Sequence, residues 1–136
     1  MPYTFEISDV LPATPDQIVD AWMSSERHSE MTGGRAIIDP HPGGPFVAWD
    51  GYIKGCTLEI EPGRRIVQSW RTTEFTDDEP SSKIEVLCSK EGNATRVTVI
   101  HSNVPDGQHS YEHGGWQTNY FEPMRAYFTR ATNEVR

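Results

Sequence analysis

The chain has 136 residues, a net charge of −8 and an aromatic content of 10%. A length of this order favours one domain, here 1–136, that removes roughly two-thirds of its unfolded surface from water. The acidic balance repels phosphate and argues against nucleic acid, while "MPYTFEISDV" carries neither a basic leader nor an apolar span, so a cytoplasmic protein without membrane contact is expected.

The first segment, "YTFEISDV", alternates Tyr3, Phe5 and Ile7 with Thr4, Glu6 and Ser8, the period of a strand. "ATPDQIVDAWM" follows, with Thr14 as N-cap, Pro15 at the first helical position and Gln17 completing a capping box. Ile18, Trp22 and Met23 should face the core. "SSERHSEMTGG" reads as a second short helix, capped by Ser25 and stopped by Gly33 and Gly34. From "RAIID" onward the pattern is strands and hairpins. Asp50-Gly51 and Pro62-Gly63 mark turns, with Asp-Gly suited to a tight hairpin because both residues tolerate positive φ. "RRIVQSWRTTEF", "KIEVLCSK" and "TRVTVIHSNV" are further strands, the last two joined through "EGNA", so the sequon at Asn93 reads as a turn. Cys56 and Cys88 lie in strand patterns without CxxC spacing and read as reduced core residues.

The chain closes on a long helical pattern with Asp106 as N-cap. Trp116, Tyr120, Met124, Tyr127, Phe128 and Ala131 fall on one side, and Pro123 should bend the helix locally. Without βαβ alternation, consecutive hairpins imply an antiparallel meander whose apolar face the last helix must cover. The expected class is α+β: a curved antiparallel sheet of about six or seven strands wrapped on a long C-terminal helix, with two short helices after the first strand.

This order resembles the helix-grip fold of the START-like superfamily, which includes the birch pollen allergen, lipid-transfer domains and aromatic polyketide cyclases. "GGPFVAWDGYIKGCTLEIEPGRRIVQSWR" and the ending "NVPDGQHSYEHGGWQTNYFEPMRAYF" are similar to the ordered motif series of the activator of heat-shock-protein-90 ATPase homology family, in its C-terminal domain. The resemblance runs from about Thr4 to Phe128. It implies a stand-alone single-domain member without the co-chaperone's additional N-terminal domain. It also implies a cavity for apolar small molecules between sheet and helix, and a heat-shock-protein-90 chaperone as a second candidate partner.

"HSYEH" at 109–113 matches an inverted zinc-protease motif, with His109 and His113 one helical turn apart and Glu112 as base. The motif needs a further carboxylate on a following helix, whereas Glu122 continues the same one, so the pair reads as a solvated first turn and no metal or cofactor is expected. No nucleophile elbow, phosphate loop or dinucleotide fingerprint is present. His28 and His41 are expected at the surface. His101 shares strand parity with Val97 and Val99, and reads either as a core histidine satisfied by one hydrogen bond or as a polar anchor in a cavity.

Trp22, Trp49, Trp70 and Trp116 are many tryptophans for this length, and each indole N–H wants a partner when buried. Trp70 shares parity with Ile66, Gln68 and Glu74, and that apolar–polar mixture suits a cavity wall. The candidate ligand-binding residues are Phe46, Trp49, Trp70, Glu74, His101, Trp116, Tyr120 and Met124. The leading function is binding of an apolar or aromatic small molecule. The alternatives are a co-chaperone-like module and a cyclase- or hydrolase-like enzyme using His101, Glu74 and Tyr120.

Overall fold

The computed structural model describes residues 2–105 and 111–134. Seven strands form one antiparallel sheet: β1 (Tyr3–Leu11), β2 (Ile37–Ile38), β3 (Pro45–Ala48), β4 (Ile53–Glu61), β5 (Arg65–Thr72), β6 (Ser82–Glu91) and β7 (Ala94–Val104). Their spatial order is β1-β7-β6-β5-β4-β3-β2, so every sequential neighbour from β2 onward is a hairpin partner and β1 returns to pair with β7. β1 shows the expected alternation, with Tyr3, Phe5 and Ile7 partly buried and Thr4, Glu6 and Ser8 exposed.

Directly opposed residues share a face, so the registers define rows across the sheet. One row runs Ile7, Val99, Val86, Ile66, Ile60 and is wholly apolar. The next runs Phe5, His101, Ile84, Gln68, Thr57, and the inner face turns polar along it. A bulge between Thr57 and Glu59 inserts Leu58, which is left exposed. Cys56 corrects its core assignment: Thr57 takes the inward position of β4, leaving Cys56 exposed while Cys88 is buried, and both are free thiols.

Two short helices connect β1 to β2. In α1 (Pro15–Trp22) the capping box is complete: Thr14 Oγ1 accepts the Gln17 N–H at 3.2 Å and Gln17 Oε1 accepts the Thr14 N–H at 2.8 Å. Ile18, Trp22 and Met23 are buried as the helical period requires. In α2 (Ser25–Thr32) the cap is Ser24, one residue earlier than expected. Ser24 Oγ takes the Arg27 N–H, while Ser25 Oγ accepts the Ile38 N–H at 2.7 Å and so ties α2 to β2. A backbone partner elsewhere in the fold captured the hydroxyl that local sequence offered as a cap.

The C-terminal helix differs most from expectation. Asp106 and His109 lie outside the described residues. From Tyr111 to Phe121 the chain runs in wide π-type turns, broken at Gly114 with φ 117, and only then becomes the regular helix α3 (Glu122–Glu134). Gly114 has the freedom for that angle. Pro123 lacks an N–H, and the wider turns ahead of it absorb the missing bond. Because one π turn brings residues five apart onto one side, Phe121 joins Trp116, Tyr120, Met124 and Phe128 against the sheet, and all five are buried. Arg125 pins this layer to β1 by an ion pair with Asp9 at 2.6 Å and a hydrogen bond to the Val10 carbonyl at 3.1 Å. Burial would raise the Asp9 carboxyl, but hydrogen bonds from Arg125, Gln117 and the Val10 N–H outweigh it and hold the pKa below the usual value. Among the described residues no helix is long and apolar enough to cross a membrane.

Candidate functional site

A cavity of about 350 Å³ opens between the sheet and the π-turn segment. The turn after β3 supplies Trp49 and Tyr52, β4 supplies Ile53, and β5 supplies Trp70. The opposite wall is Tyr111, Gly115, Trp116, Asn119 and Tyr120.

The β3–β4 connection is not the tight hairpin read from Asp50-Gly51. Trp49, Asp50 and Gly51 all have positive φ, at 53°, 59° and 95°. Such a conformation is strained for an aromatic residue and persists only when its surroundings enforce it. The enforcement is visible. The Asp50 N–H bonds the Arg35 carbonyl at 2.9 Å, and the Tyr52 carbonyl accepts from Thr73 N–H at 3.0 Å. Gly34 packs beneath the indole so closely that a Cβ there would stand 2.6 Å from Trp49 Cε3.

Behind the cavity the aromatic rings are packed in series. The Trp116 ring lies 5.1 Å from Trp70 and 5.1 Å from Tyr120, and Tyr120 stacks on Trp22 at 4.9 Å. Two histidines brace them. Ser82 donates its hydroxyl proton to the Trp70 carbonyl at 3.0 Å, so His101 Nε2–H donates to Ser82 Oγ at 2.8 Å, and His101 Nδ1 accepts the Trp116 indole N–H at 3.2 Å. His101 is therefore a core histidine with both ring nitrogens engaged, one more than expected. His28 is 2% exposed, which corrects its surface assignment. Its Nδ1 must donate to the Trp22 carbonyl at 2.9 Å, leaving Nε2 to accept from the Tyr120 hydroxyl at 3.2 Å. Sequence gave α2 no apolar stripe around His28, and only tertiary contact brings Tyr120 to it. Burial lowers the His28 pKa and raises that of Tyr120, so both stay neutral.

Of four tryptophans, Trp22 donates to Gln68 Oε1 at 3.0 Å and Trp116 to His101, but the buried Trp70 Nε1–H has no acceptor in hydrogen-bonding geometry. The Tyr111 hydroxyl sits near Trp70 and Thr72. Burial pushes the Tyr111 phenol up to about 12, and the neighbouring Trp70 and Thr72 groups only partly oppose this. Tyr52 is half exposed and donates its hydroxyl to Glu74; burial and that carboxylate both raise its pKa.

Residues 12–129 match the family described as "Activator of Hsp90 ATPase homolog 1-like protein". The chain belongs to this family. Among curated relatives, the "Activator of 90 kDa heat shock protein ATPase homolog" of Dictyostelium discoideum is 21% identical over 93% of this chain and 33% of its own length. The chain thus spans about a third of such relatives. Among solved structures, an HSP90 activator from Plasmodium falciparum superposes with a TM-score of 0.82 at 23% identity, covering 91% of this chain and 94% of that one. CalU16 from Micromonospora echinospora superposes with a TM-score of 0.77 at 21% identity, covering 98% and 81%. These likenesses show a helix-grip fold for this family member, as its motif series and element order lead one to expect.

Trp49, Trp70, Trp116 and Tyr120, four of the residues expected at the site, line the cavity. Phe46 lies 6.4 Å from the Trp70 ring, away from the opening, and Met124 is fully buried in the core. His101 stands behind Trp116 rather than on the wall. Glu74 corrects the parity argument: β5 ends at Thr72, so the alternation that would turn Glu74 inward has stopped and the residue is exposed. The Gln68 side chain, read as cavity wall, is instead satisfied inside the core by Trp22 and Thr57. Tyr52, Ile53, Tyr111, Gly115 and Asn119 were missed. Tyr52 was signalled by its place after Asp50-Gly51; Tyr111 and Asn119 had no signal, because π turns carry no sequence period of their own. His109 of the inverted zinc motif lies outside the described residues, and His113 at ψ 35 departs from helical geometry. Among the described residues no group of three or more His, Cys, Asp or Glu side chains could hold a metal.

Proposed function

We propose that the protein binds a small apolar or aromatic molecule in the cavity between sheet and C-terminal segment. The observation that carries this is a space of about 350 Å³ walled by Trp49, Trp70, Trp116 and Tyr120, within the lower range of small-molecule pockets. A ring system burying about 150–250 Å² of apolar surface would contribute about 4–6 kcal/mol at 25 cal/mol per Å². That corresponds to dissociation constants from about 1 mM to tens of μM. Titration of intrinsic tryptophan fluorescence with a panel of one- and two-ring compounds, backed by native mass spectrometry, tests it. Saturable quenching in that range supports the reading; a panel without any saturable response at millimolar concentration sinks it.

A second reading rests on the family itself: a co-chaperone-like contact with a heat-shock-protein-90 chaperone. The family match over residues 12–129 favours it, while only about a third of the Dictyostelium relative is represented here. Pull-down and chaperone ATPase assays decide it, and no binding with no rate change at micromolar protein ends it. A cyclase- or hydrolase-like activity gains no support from the three groups named for it. Glu74 is exposed and accepts from Tyr52, His101 is bonded through both nitrogens, and the Tyr120 hydroxyl donates to His28.

A further inference from the structure

Six of the nine described residues lining the cavity are aromatic, and among the described residues no lysine, arginine or histidine lies on its wall. Trp49, Tyr52 and Tyr111 keep part of their surface accessible, while Trp70, Trp116 and Tyr120 are buried and close the space from behind. The rings are inclined to one another. Trp49 stands at 82° to Tyr120, Tyr120 at 59° to Trp70, and Trp70 at 38° to Trp116. A guest in the cavity therefore meets aromatic rings from several directions. At the mouth the charge is negative. Glu74 accepts from the Tyr52 hydroxyl, and among the described residues it has no ion pair. Its field reaches the wall: burial raises the pKa of both Tyr52 and Tyr111, and the Glu74 carboxylate adds to the rise in each. Asp50, in the turn between Trp49 and Tyr52, is exposed and has no ion pair among the described residues either.

We propose that the ligand is an organic cation, a methylated ammonium on an apolar or aromatic body, held among these rings with Glu74 as its counter-charge. The proposal rests on the binding function proposed above and names its ligand class. Indole and phenol rings attract a cation through their quadrupole, most strongly where water is excluded. A carboxylate without an ion pair at the mouth, on a chain of net charge −8, favours the same sign of ligand and opposes an anion. The wall also sets the kind of cation. A primary ammonium brings three donors that need acceptors, and apart from Asn119 and the phenols the wall side chains carry none. A fully methylated ammonium brings no donor.

Three probes of one shape test the proposal: choline, its neutral isostere 3,3-dimethylbutan-1-ol, and the anion 3,3-dimethylbutanoate. All three are titrated against the whole chain by intrinsic tryptophan fluorescence, beside the ring compounds. Choline should bind about fivefold or more tightly than the alcohol, and the anion should bind weakest. The preference for choline should fall about twofold or more in Glu74→Gln, at an exposed position, and should weaken with added salt. It should fall again in Tyr111→Leu, which removes one ring; if that variant does not fold, Glu74→Gln and the salt series decide. Equal binding of choline and the alcohol would overturn the proposal and leave the apolar cavity standing, as would ring compounds that bind where choline does not. Tightest binding by the anion would overturn the cationic class, and a preference unchanged in Glu74→Gln would overturn the role of that carboxylate. If neither the three probes nor any ring compound binds, the proposal and the function beneath it fail together.

Discussion

Replacing Gln68 with leucine isolates what holds the short helices on the sheet. Gln68 is 1% exposed, accepts the Trp22 indole N–H at 3.0 Å and donates to Thr57 Oγ1 at 3.1 Å, so one side chain joins α1, β5 and β4. Gln68→Leu keeps the volume but strands the Trp22 donor, at about 1–3 kcal/mol, and removes the donor to Thr57, at about 1 kcal/mol more. The added apolar surface returns about 1 kcal/mol. The expected loss is about 1–3 kcal/mol, against a total near 7–20 kcal/mol for a chain of this length. Urea unfolding with a slope of about 1–3 kcal/mol per M should show the midpoint falling by about 1 M. Trp22→Phe and the double variant complete a cycle, in which the pair should couple by about 1–2 kcal/mol. An unchanged midpoint in Gln68→Leu, or strict additivity in the double variant, would refute the claim that this network braces the core.

Burial holds the His28 imidazole below its ordinary pKa, with the hydrogen bond to the Trp22 carbonyl opposing in part. The unfolded chain therefore takes up the proton first, so the contribution of His28 is complete above about pH 6.5 and is lost as pH falls below it, by up to about 1.4 kcal/mol per pH unit. Urea midpoints at pH 7.5 and 5.5 should converge in His28→Phe relative to the unaltered protein; equal pH slopes would contradict the assignment. Native-state alkylation followed by intact mass should add one label at exposed Cys56. Cys88, buried with its thiol pushed up to about 12 by desolvation, should react only on unfolding, and two labels at equal rates would contradict its burial. Gly34→Ala places a methyl 2.6 Å from Trp49 Cε3 and 3.0 Å from its Cα. It should lower stability by about 1–3 kcal/mol and weaken aromatic probes at the cavity, read by thermal unfolding and fluorescence titration; unchanged values for both would show that Trp49 is not held from below.

Local patterns read well because their physics is local. The Thr14 capping box, the alternation of β1, the turn signals at Gly63 and Gly92 and the stop at Gly33 depend on residues within a few positions of each other, and each took the expected form. The cavity was half legible. Trp49, Trp70, Trp116 and Tyr120 announced themselves as large rings with strand or helix periodicity. Glu74 failed because strand parity was carried two residues past the end of β5. Gln68 was placed on the wrong kind of surface because a polar residue on an inner row looks the same from sequence whether it meets a ligand or an indole from α1.

The sequence by itself determined the element order, the antiparallel meander and the need for a C-terminal helix over the sheet, since periodicity, turn chemistry and the lack of βαβ alternation are written residue by residue. It also carried the family. The tertiary structure decided which polar groups would be consumed inside the core. His28 finds Tyr120 across 92 positions, Trp22 finds Gln68 across 46, and Trp116 finds His101 across 15, while the buried Trp70 N–H is left without an acceptor in hydrogen-bonding geometry. Hydrogen-bond satisfaction is a property of which faces meet, and that is fixed only when sheet, short helices and π-turn segment close on one another.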